Sequence, residues 1–170
     1  MKIKFLTDVD VVNYKKTSMV VGMPYCDGKC WKDLNAHGGN YDWSLCQNHS
    51  LIEGSSIDIS INDLCKRYLS NPMTHAVVFA GMEPLLSIHQ VVAFIIYLRG
   101  TGHSEDDVVV YTGYNEDEEN VIEFTNLLTT ACVNNVIVKF GRYVPGQEPH
   151  LDPVLGVMLA SDNQYARKIC

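Results

Sequence analysis

Four short apolar runs, separated by segments long enough for helices, constrain the fold of this chain more than any other feature. These runs, and a fifth near the end, are predicted strands: Thr17–Gly22, Ala76–Ala80, Val108–Tyr111, Asn135–Lys139 and Leu155–Ala160. The predicted helices are Asp58–Ser70, Ser87–Arg99 and Asp117–Thr129. Ser60 and Asp63 have the spacing of a helix N-terminal cap. Strands that alternate with helices in this way predict parallel βαβ units and an α/β fold.

Polar and glycine-rich segments follow the predicted strands. Ligands of parallel α/β sheets and barrels bind at the carboxyl ends of the strands. We therefore expect a site formed by the cysteine segment that follows the first strand, together with Gly81–Pro84, Thr112–Tyr114, Gly141–Arg142 and Ser161–Gln164.

Three of the six cysteines lie in the polar segment Met23–Ser56, which shows little periodicity and is predicted to be irregular. Cys26 and Cys30 form a C-x3-C pair, and Cys46 follows after fifteen residues. An irregular stretch of this length in a compact domain indicates a functional segment or one that is held in place by a bound group such as a metal. Three thiolates can bind a [4Fe–4S] cluster and leave one iron free.

The same cysteines also allow a zinc site. Zinc would need a fourth ligand, for which His37 and His49 are the candidates in this segment. The remaining cysteines, which are scattered along the chain, are assigned no role: Cys65, Cys132 and Cys170.

A second candidate segment, Gly81-Met82-Glu83-Pro84, follows a predicted strand. A glycine lets the backbone approach a ligand closely, and Pro84 suits the first turn of a following helix. Glu83 is expected at the same end of the sheet as the cysteines, where its carboxylate can receive an ammonium group. An ordinary strand–helix turn with a solvated glutamate is the alternative.

These motifs together resemble the radical-SAM superfamily, which carries C-x3-C-x2-C after its first strand and Gly-Gly-Glu-Pro after its second. Three later segments resemble, in order, motifs of the activating proteins of anaerobic ribonucleotide reductase, over about residues 17–168. They are Val109-Val110-Tyr111-Thr112-Gly113-Tyr114, Lys139-Phe140-Gly141-Arg142-Tyr143 and Ser161-Asp162-Asn163-Gln164.

The cluster motif departs from that family pattern. Asp33 stands where the family has its third cysteine. The third cysteine of this chain is instead Cys46, in Cys46-Gln47-Asn48, which follows the inserted segment Lys32–Leu45. Gly81 and Met82 stand where the family has the two glycines of Gly-Gly-Glu-Pro. Phe140-Gly141 stands where the family has an Asp-Gly turn.

The resemblance implies a partial, open (β/α) barrel of mainly parallel strands in one domain over residues 1–170, with a cluster loop at about 23–56. A full eight-unit barrel typically needs about 250 residues. It implies that Cys26, Cys30 and Cys46 hold a [4Fe–4S] cluster and that S-adenosyl-L-methionine binds the fourth iron. The other implied cofactor-binding residues are Gly81, Glu83, Trp31, Tyr111, Thr112, Gly113, Asn163 and Gln164.

The implied activity is reductive cleavage of S-adenosylmethionine to methionine and a 5′-deoxyadenosyl radical. In the family, that radical takes a hydrogen atom from a glycine of a large glycyl-radical enzyme, here an anaerobic ribonucleotide reductase, and a small electron-transfer protein supplies the electron. Two alternatives remain. One is a zinc-binding structural module, and the other is a degenerate radical-SAM fold that binds a partner without catalysis.

Net charge and hydropathy argue against nucleic-acid-binding and membrane-spanning classes of protein. A formal net charge of −7 argues against broad contact with nucleic-acid phosphates. The sequence contains no apolar stretch of the length that a transmembrane helix needs, which is about 18 residues or more. The N-terminal sequence lacks the order of a signal peptide, so we expect a cytoplasmic protein that does not bind membranes.

Overall fold

The main structural feature is a mixed sheet with helices on one face. The computed structural model describes residues 1–103 and 105–170. In chain order, the strands in these residues are β1 (Lys2–Ile3), β2 (Phe5–Asp10), β3 (Ser18–Met23), β4 (Ile57–Asp58), β5 (Ala76–Gly81), β6 (Asp107–Tyr111), β7 (Val136–Phe140), β8 (His150–Asp152), β9 (Val157–Leu159) and β10 (Tyr165–Lys168).

Six of these strands form the main sheet in the spatial order β10-β7-β6-β5-β3-β2. The four central strands, β3, β5, β6 and β7, are parallel to one another. The two edge strands, β2 and β10, run antiparallel to their neighbours. The prediction of an α/β fold is confirmed, and the four central strands agree with the predicted runs to within one residue at each end.

The helices of the described residues are α1 (Lys29–Ala36), α2 (Ile61–Leu69), α3 (Ile88–Gly100) and α4 (Glu119–Thr130). The predictions of α2, α3 and α4 are confirmed with small shifts at their ends. Ser60 caps α2 as predicted, since its Oγ accepts a hydrogen bond of 3.0 Å from the backbone N–H of Asp63. Among the described residues, no helix combines the length and apolar character needed to cross a membrane.

Successive side chains of each strand point to opposite faces of the sheet. Val77 and Phe79 of β5 pack with Phe94 of α3 in the larger core, on the face that the helices cover. Val78 of β5 points to the opposite face, where it packs with Leu155 in a smaller cluster. This second face, which we call the helix-free face, is partly covered by residues from the β8–β9 segment.

The segment Met23–Ser56 is not irregular throughout, so that prediction was wrong in part. It contains α1 and two short 3-10 helices, Trp43–Leu45 and His49–Leu51. Trp31 of α1 packs edge-to-face against Trp43, with ring centroids 5.9 Å apart. None of the residues of α1 is fully buried, so the helix leaves no clear apolar periodicity in the sequence.

The predicted strand Leu155–Ala160 also needs correction. The strand within this range is β9, which pairs with β8 in a separate two-stranded ribbon rather than joining the main sheet. The edge strand at the C-terminal side is instead β10, whose residues are mostly exposed. Short, charged edge strands lack the apolar run by which buried strands are recognised, which explains why β2 and β10 were missed.

Asp152 fastens the β8–β9 ribbon to β10. This carboxylate is 2% exposed and accepts backbone hydrogen bonds from Val154 (2.9 Å), Leu155 (2.8 Å) and Ala166 (2.8 Å). Removing it would leave three N–H groups without their acceptor, which is costly wherever those groups stay buried.

We therefore expect Asp152→Ala to lower the free energy of unfolding by about 3 kcal/mol. Urea denaturation followed by circular dichroism measures this change. Asp162→Ala, an exposed position in the following turn, is the matched control and should change stability by less than about 0.5 kcal/mol. A loss of similar size in both variants would contradict the assigned role of Asp152.

Candidate functional site

A cleft of about 470 Å³ opens at the carboxyl ends of the parallel strands, on the helix-free face. It is formed by segments that follow β3, β5, β6 and β7, as the strand topology predicts. Nine of the predicted site residues line it: Cys26, Cys30, Cys46, Gly81, Glu83, Tyr111, Thr112, Gly113 and Gln164. The sequence therefore predicted the end of the sheet at which the cleft lies and part of its lining, but not the wall formed by β2 and β9.

The three cysteines share one region of this cleft. Burial raises the pKa of the Cys26 thiol to about 11 and also raises the pKa of Cys30. A charge on Cys30 also acts to raise the pKa of Cys26, and a charge on Cys46 acts to raise the pKa of Cys30, so Cys30 lies close to both other cysteines. All three are free thiols. Adjacent desolvated thiols are held as thiolates more readily when a cation binds them.

Glu83 is the buried anion of the cleft. Its side chain accepts three hydrogen bonds, from the Leu85 N–H (3.0 Å), the Thr112 hydroxyl (2.8 Å) and the Gly113 N–H (2.8 Å). Burial raises the pKa of Glu83 to about 7, although these hydrogen bonds oppose the shift. The residue is only 5% exposed, so the alternative of a solvated turn glutamate is excluded by the structure.

The backbone joins the glutamate to the cysteine segment. The Glu83 N–H donates a hydrogen bond of 2.6 Å to the Tyr25 carbonyl, next to Cys26. Gly81 has a φ of +89°, a left-handed conformation that favours glycine. A Cβ on Gly113 would lie 3.5 Å from Glu83 Oε2 and 3.7 Å from Cys30 Sγ, so a side chain there would enter the gap between carboxylate and thiol.

Tyr111 and Gln164 also lie where predicted. The Tyr111 hydroxyl donates a 2.5 Å hydrogen bond to the Asn13 carbonyl, which ties the β2–β3 loop to the end of β6. Gln164 accepts from the backbone N–H groups of Ala160 and Ser161 and donates to the Gly141 carbonyl. Gln164 thus closes the end of the sheet while lining the cleft.

Two predicted residues lie outside the cleft lining. Trp31 packs against Trp43 and over Gly28, where an added Cβ would lie 2.6 Å from Trp31 Nε1. Asn163 is exposed and donates to the Arg142 carbonyl (2.8 Å). In this structure, Trp31 packs α1 against the Trp43 segment, and Asn163 joins the turn after β9 to the segment after β7.

The histidines considered for a zinc site are also outside the cleft lining. The ring Nδ1 of His37 lies 2.8 Å from the Asp33 carbonyl, and that of His49 lies 2.8 Å from the Cys46 carbonyl. Within residues 1–103 and 105–170, no group of three or more His, Cys, Asp or Glu side chains is placed to hold a metal ion.

An ionic network behind the cysteines was not predicted. Glu118 receives two hydrogen bonds from Arg142 (2.6 and 2.7 Å) and one from Lys29 (2.9 Å). The Arg142 Nε also lies 2.9 Å from the Asp33 carboxylate, with which it forms an ion pair but no hydrogen bond. Asp33 therefore anchors α1 to the end of β7.

An aromatic ring completes this network. Tyr114 donates a 2.7 Å hydrogen bond to Asp27, and its ring lies beneath the Lys29 ammonium at 4.7 Å and the Arg142 guanidinium at 5.6 Å. Tyr114 and Arg142 belong to the motif segments that carried the family resemblance, but nothing in their spacing indicated that they contact α1. Only the fold brings them to the cysteine segment.

Lys139 is a residue of the cleft to which the sequence analysis assigned no role at the site. It lies on β7, is 7% exposed and lines the cleft. Its ammonium donates a 2.7 Å hydrogen bond to the Gly141 carbonyl. Burial lowers the pKa of Lys139 to about 8, while Cys30 and Glu83 act to raise it. The available signal was a lysine at the end of an otherwise apolar strand, Val136–Phe140.

Comparisons with known proteins identify no relative of this chain. No family model, no curated protein and no solved structure matches the chain.

The Glu118 network should make stability depend on pH. Burial acts to raise the pKa of Glu118, but hydrogen bonds from Arg142, the Asn115 N–H and Lys29 outweigh burial and lower it to about 2, from 4.5. A lowered pKa gives stability that is present above about pH 4.5 and is lost as the pH falls toward 2.

We expect Glu118→Gln to lower the free energy of unfolding by about 2 kcal/mol at pH 7, with the deficit shrinking as the pH falls from 5 toward 2. Urea titrations at several pH values measure both quantities. Glu119→Gln, at the exposed neighbouring position, should show almost no deficit at any pH. A Glu118→Gln deficit that stays constant across this range would contradict the ionic origin.

Proposed function

We propose that the protein is a radical-SAM enzyme that uses a [4Fe–4S] cluster and S-adenosylmethionine to install a glycyl radical on a partner protein. The observation that carries the proposal is the convergence of Cys26, Cys30, Cys46 and Glu83 on one cleft at the carboxyl ends of parallel strands. The open, incomplete sheet, with four parallel strands at its centre, supports the finer assignment to a partial radical-SAM barrel.

The donor set suits an iron–sulfur cluster. Iron–sulfur clusters are held by cysteine thiolates, each bound to a different iron, so their sulfurs need not converge on one point as they would around a single ion. Cys26, Cys30 and Cys46 would hold the cluster, and the fourth iron would be left for the substrate. When bound, the cluster would supply the one electron that reductive cleavage of S-adenosylmethionine requires.

The protein's own residues position the ligand and shield it. Glu83 offers a buried carboxylate oriented by Leu85, Thr112 and Gly113, which suits the amino group of the methionine end. Tyr111 and the neighbouring apolar walls would border the adenosine. Fixed groups on strand ends need little reorganisation during reaction, which is how a binding site of this kind aids chemistry.

The mouth of the cleft supports a protein substrate. Val12 and Met158 line the cleft and are 72% and 61% exposed, so apolar surface continues from the site to the outside. Leu151, the cross-strand partner of Met158, is 62% exposed. Exposed apolar surface beside a site is typical of contact with another macromolecule, and a glycine-bearing segment of a glycyl-radical enzyme, here an anaerobic ribonucleotide reductase, is the proposed occupant.

Anaerobic reconstitution with iron and sulfide tests the proposal. We expect about four iron atoms per chain and, with dithionite and S-adenosylmethionine, formation of methionine and 5′-deoxyadenosine. Serine substitution at Cys26, Cys30 or Cys46 should each abolish product formation and reduce bound iron, because each removes one thiolate ligand.

Cys132→Ser is the matched control, since Cys132 is an exposed cysteine remote in sequence from the cluster segment. It should retain the iron content and the products of the unmodified protein. If Cys46→Ser behaved like Cys132→Ser, the proposed third ligand would be wrong. If the unmodified protein bound no iron, the radical mechanism would be wrong.

A further inference from the structure

The third cysteine of the cleft is separated from the other two by a long stretch of chain. Fifteen residues lie between Cys30 and Cys46, and an extended chain of that length reaches about 50 Å. α1 contains Cys30 and carries the chain about 9 Å further along its axis by Ala36. A flexible connection would therefore leave Cys46 at many distances from the other thiols, whereas all three cysteines line one cleft in the structure.

The turn that follows α1 reverses the chain. The Asn35 side chain donates a hydrogen bond of 2.8 Å to the Tyr41 carbonyl and accepts one of 2.7 Å from the Tyr41 N–H. The Gly39 N–H donates to the Leu34 carbonyl at 3.0 Å. These contacts fix residues 39–41 against the last turn of the helix, so that the next residues run back along α1.

Two indole rings join the returning chain to the C-x3-C motif. Trp31 directly follows Cys30, Trp43 lies three residues before Cys46, and the two ring centroids are 5.9 Å apart. Both rings lie over the buried Gly28, where a Cβ would be 2.6 Å from Trp31 Nε1 and 3.0 Å from Trp43 Cη2. We call Trp31 and Trp43 the indole pair.

The backbone of Cys46 is fixed immediately after this contact. Its N–H donates a hydrogen bond of 3.0 Å to the Trp43 carbonyl, and its carbonyl accepts one of 3.0 Å from the His49 N–H. Short-range hydrogen bonds thus set the position of Cys46 relative to Trp43. The position of Cys46 relative to Cys30 then depends on the contact between the two rings.

We propose that the indole pair positions the third thiol, because the contact of Trp43 with Trp31 places Cys46 beside Cys30 before any metal binds. The assignment of Cys46 as a cluster ligand rests on the proposed function, whereas the placement of its thiol rests on the contacts just described. Trp31 and Trp43 act through Cys46, so they are positioning residues. The entropy cost of closing the connection is met when the chain folds, and metal binding does not have to meet it.

A purely local packing role for the indole pair is the alternative. In that case, loss of Trp43 would disturb the Cys26–Cys30 pair as much as the Cys30–Cys46 pair. Cys26 and Cys30 lie on either side of Gly28 in one short motif, so they provide an internal reference. The test therefore compares two pairs of thiols.

The rate at which dibromobimane bridges thiols in the metal-free, full-length chain reports which cysteines are neighbours. The reagent joins two cysteines that lie close together, and peptide mapping by mass spectrometry identifies the two that are joined. A Cys26→Ser background leaves Cys30 and Cys46 as the pair in the cleft. A Cys46→Ser background leaves Cys26 and Cys30.

In the Cys26→Ser background, we expect Trp43→Ala to slow the bridging of Cys30 to Cys46 by about tenfold, because the aromatic contact is lost. Trp43→Phe keeps an aromatic ring and should restore the rate to within about threefold of that of the background protein. In the Cys46→Ser background, Trp43→Ala should change the Cys26–Cys30 rate by less than about twofold.

Two further variants separate positioning from a general loss of structure. Asn35→Ala leaves both rings in place but removes the two hydrogen bonds of the turn, so it should also slow the bridging of Cys30 to Cys46. Because both tryptophans of the chain belong to the indole pair, their fluorescence emission should shift to longer wavelength in this variant. Tyr97→Ala, at a half-exposed position of α3, is the matched control and should change neither rate.

Three results would overturn the inference. They are an unchanged Cys30–Cys46 rate in Trp43→Ala, equal slowing of both thiol pairs, or a Trp43→Phe variant as slow as Trp43→Ala. Circular dichroism confirms that each variant is folded, and Asn35→Ala tests the same placement should Trp43→Ala fail to fold.

The outcome is separable from that of the proposed function, because bridging is measured without metal. A chain that binds no iron but whose Cys30–Cys46 rate depends on the indole pair would refute the cluster and keep the positioning role. A chain that forms the cluster and cleaves S-adenosylmethionine, with the same bridging rates in every variant, would refute only the positioning role.

Discussion

The carboxylate of Glu83 is the contact on which the site depends. It receives hydrogen bonds from the segment that follows β5 and from the end of β6, and the backbone N–H of the same residue reaches the cysteine segment through Tyr25. A single buried residue therefore fixes three loops relative to one another. Because a buried carboxylate without such donors would be costly, the loops and the glutamate stabilise one another.

A second set of contacts holds the cysteine segment from behind. Arg142 joins Glu118, which precedes α4, to Asp33 of α1, and it is only 11% exposed. This arrangement gives the acidic residue at position 33 a structural role. The carboxylate of Asp33 takes part in anchoring the cysteine segment, while Cys46, which lies between two short 3-10 helices, lines the cleft.

The sequence predicted the central strands and the cleft because both follow from local patterns: apolar runs for buried strands, and polar turns at their carboxyl ends. It could not predict α1, whose residues are only partly buried, or the edge strands, whose side chains are mostly polar or exposed. Lys139 was missed as a site residue, and the ionic contacts of Arg142 were missed although the residue itself was expected at the site, for another reason. Their importance comes from which distant groups they meet, and strand order and register decide that, not spacing along the chain.

Electron paramagnetic resonance of the reduced, reconstituted protein tests the central claim most directly. The claim is that three cysteines leave one iron open to a ligand held by the cleft. We predict a [4Fe–4S]⁺ signal whose shape changes when S-adenosylmethionine is added, because the ligand alters the coordination of one iron. A [4Fe–4S]⁺ signal that is identical with and without S-adenosylmethionine, or a colourless protein that takes up zinc instead of iron, would contradict the account.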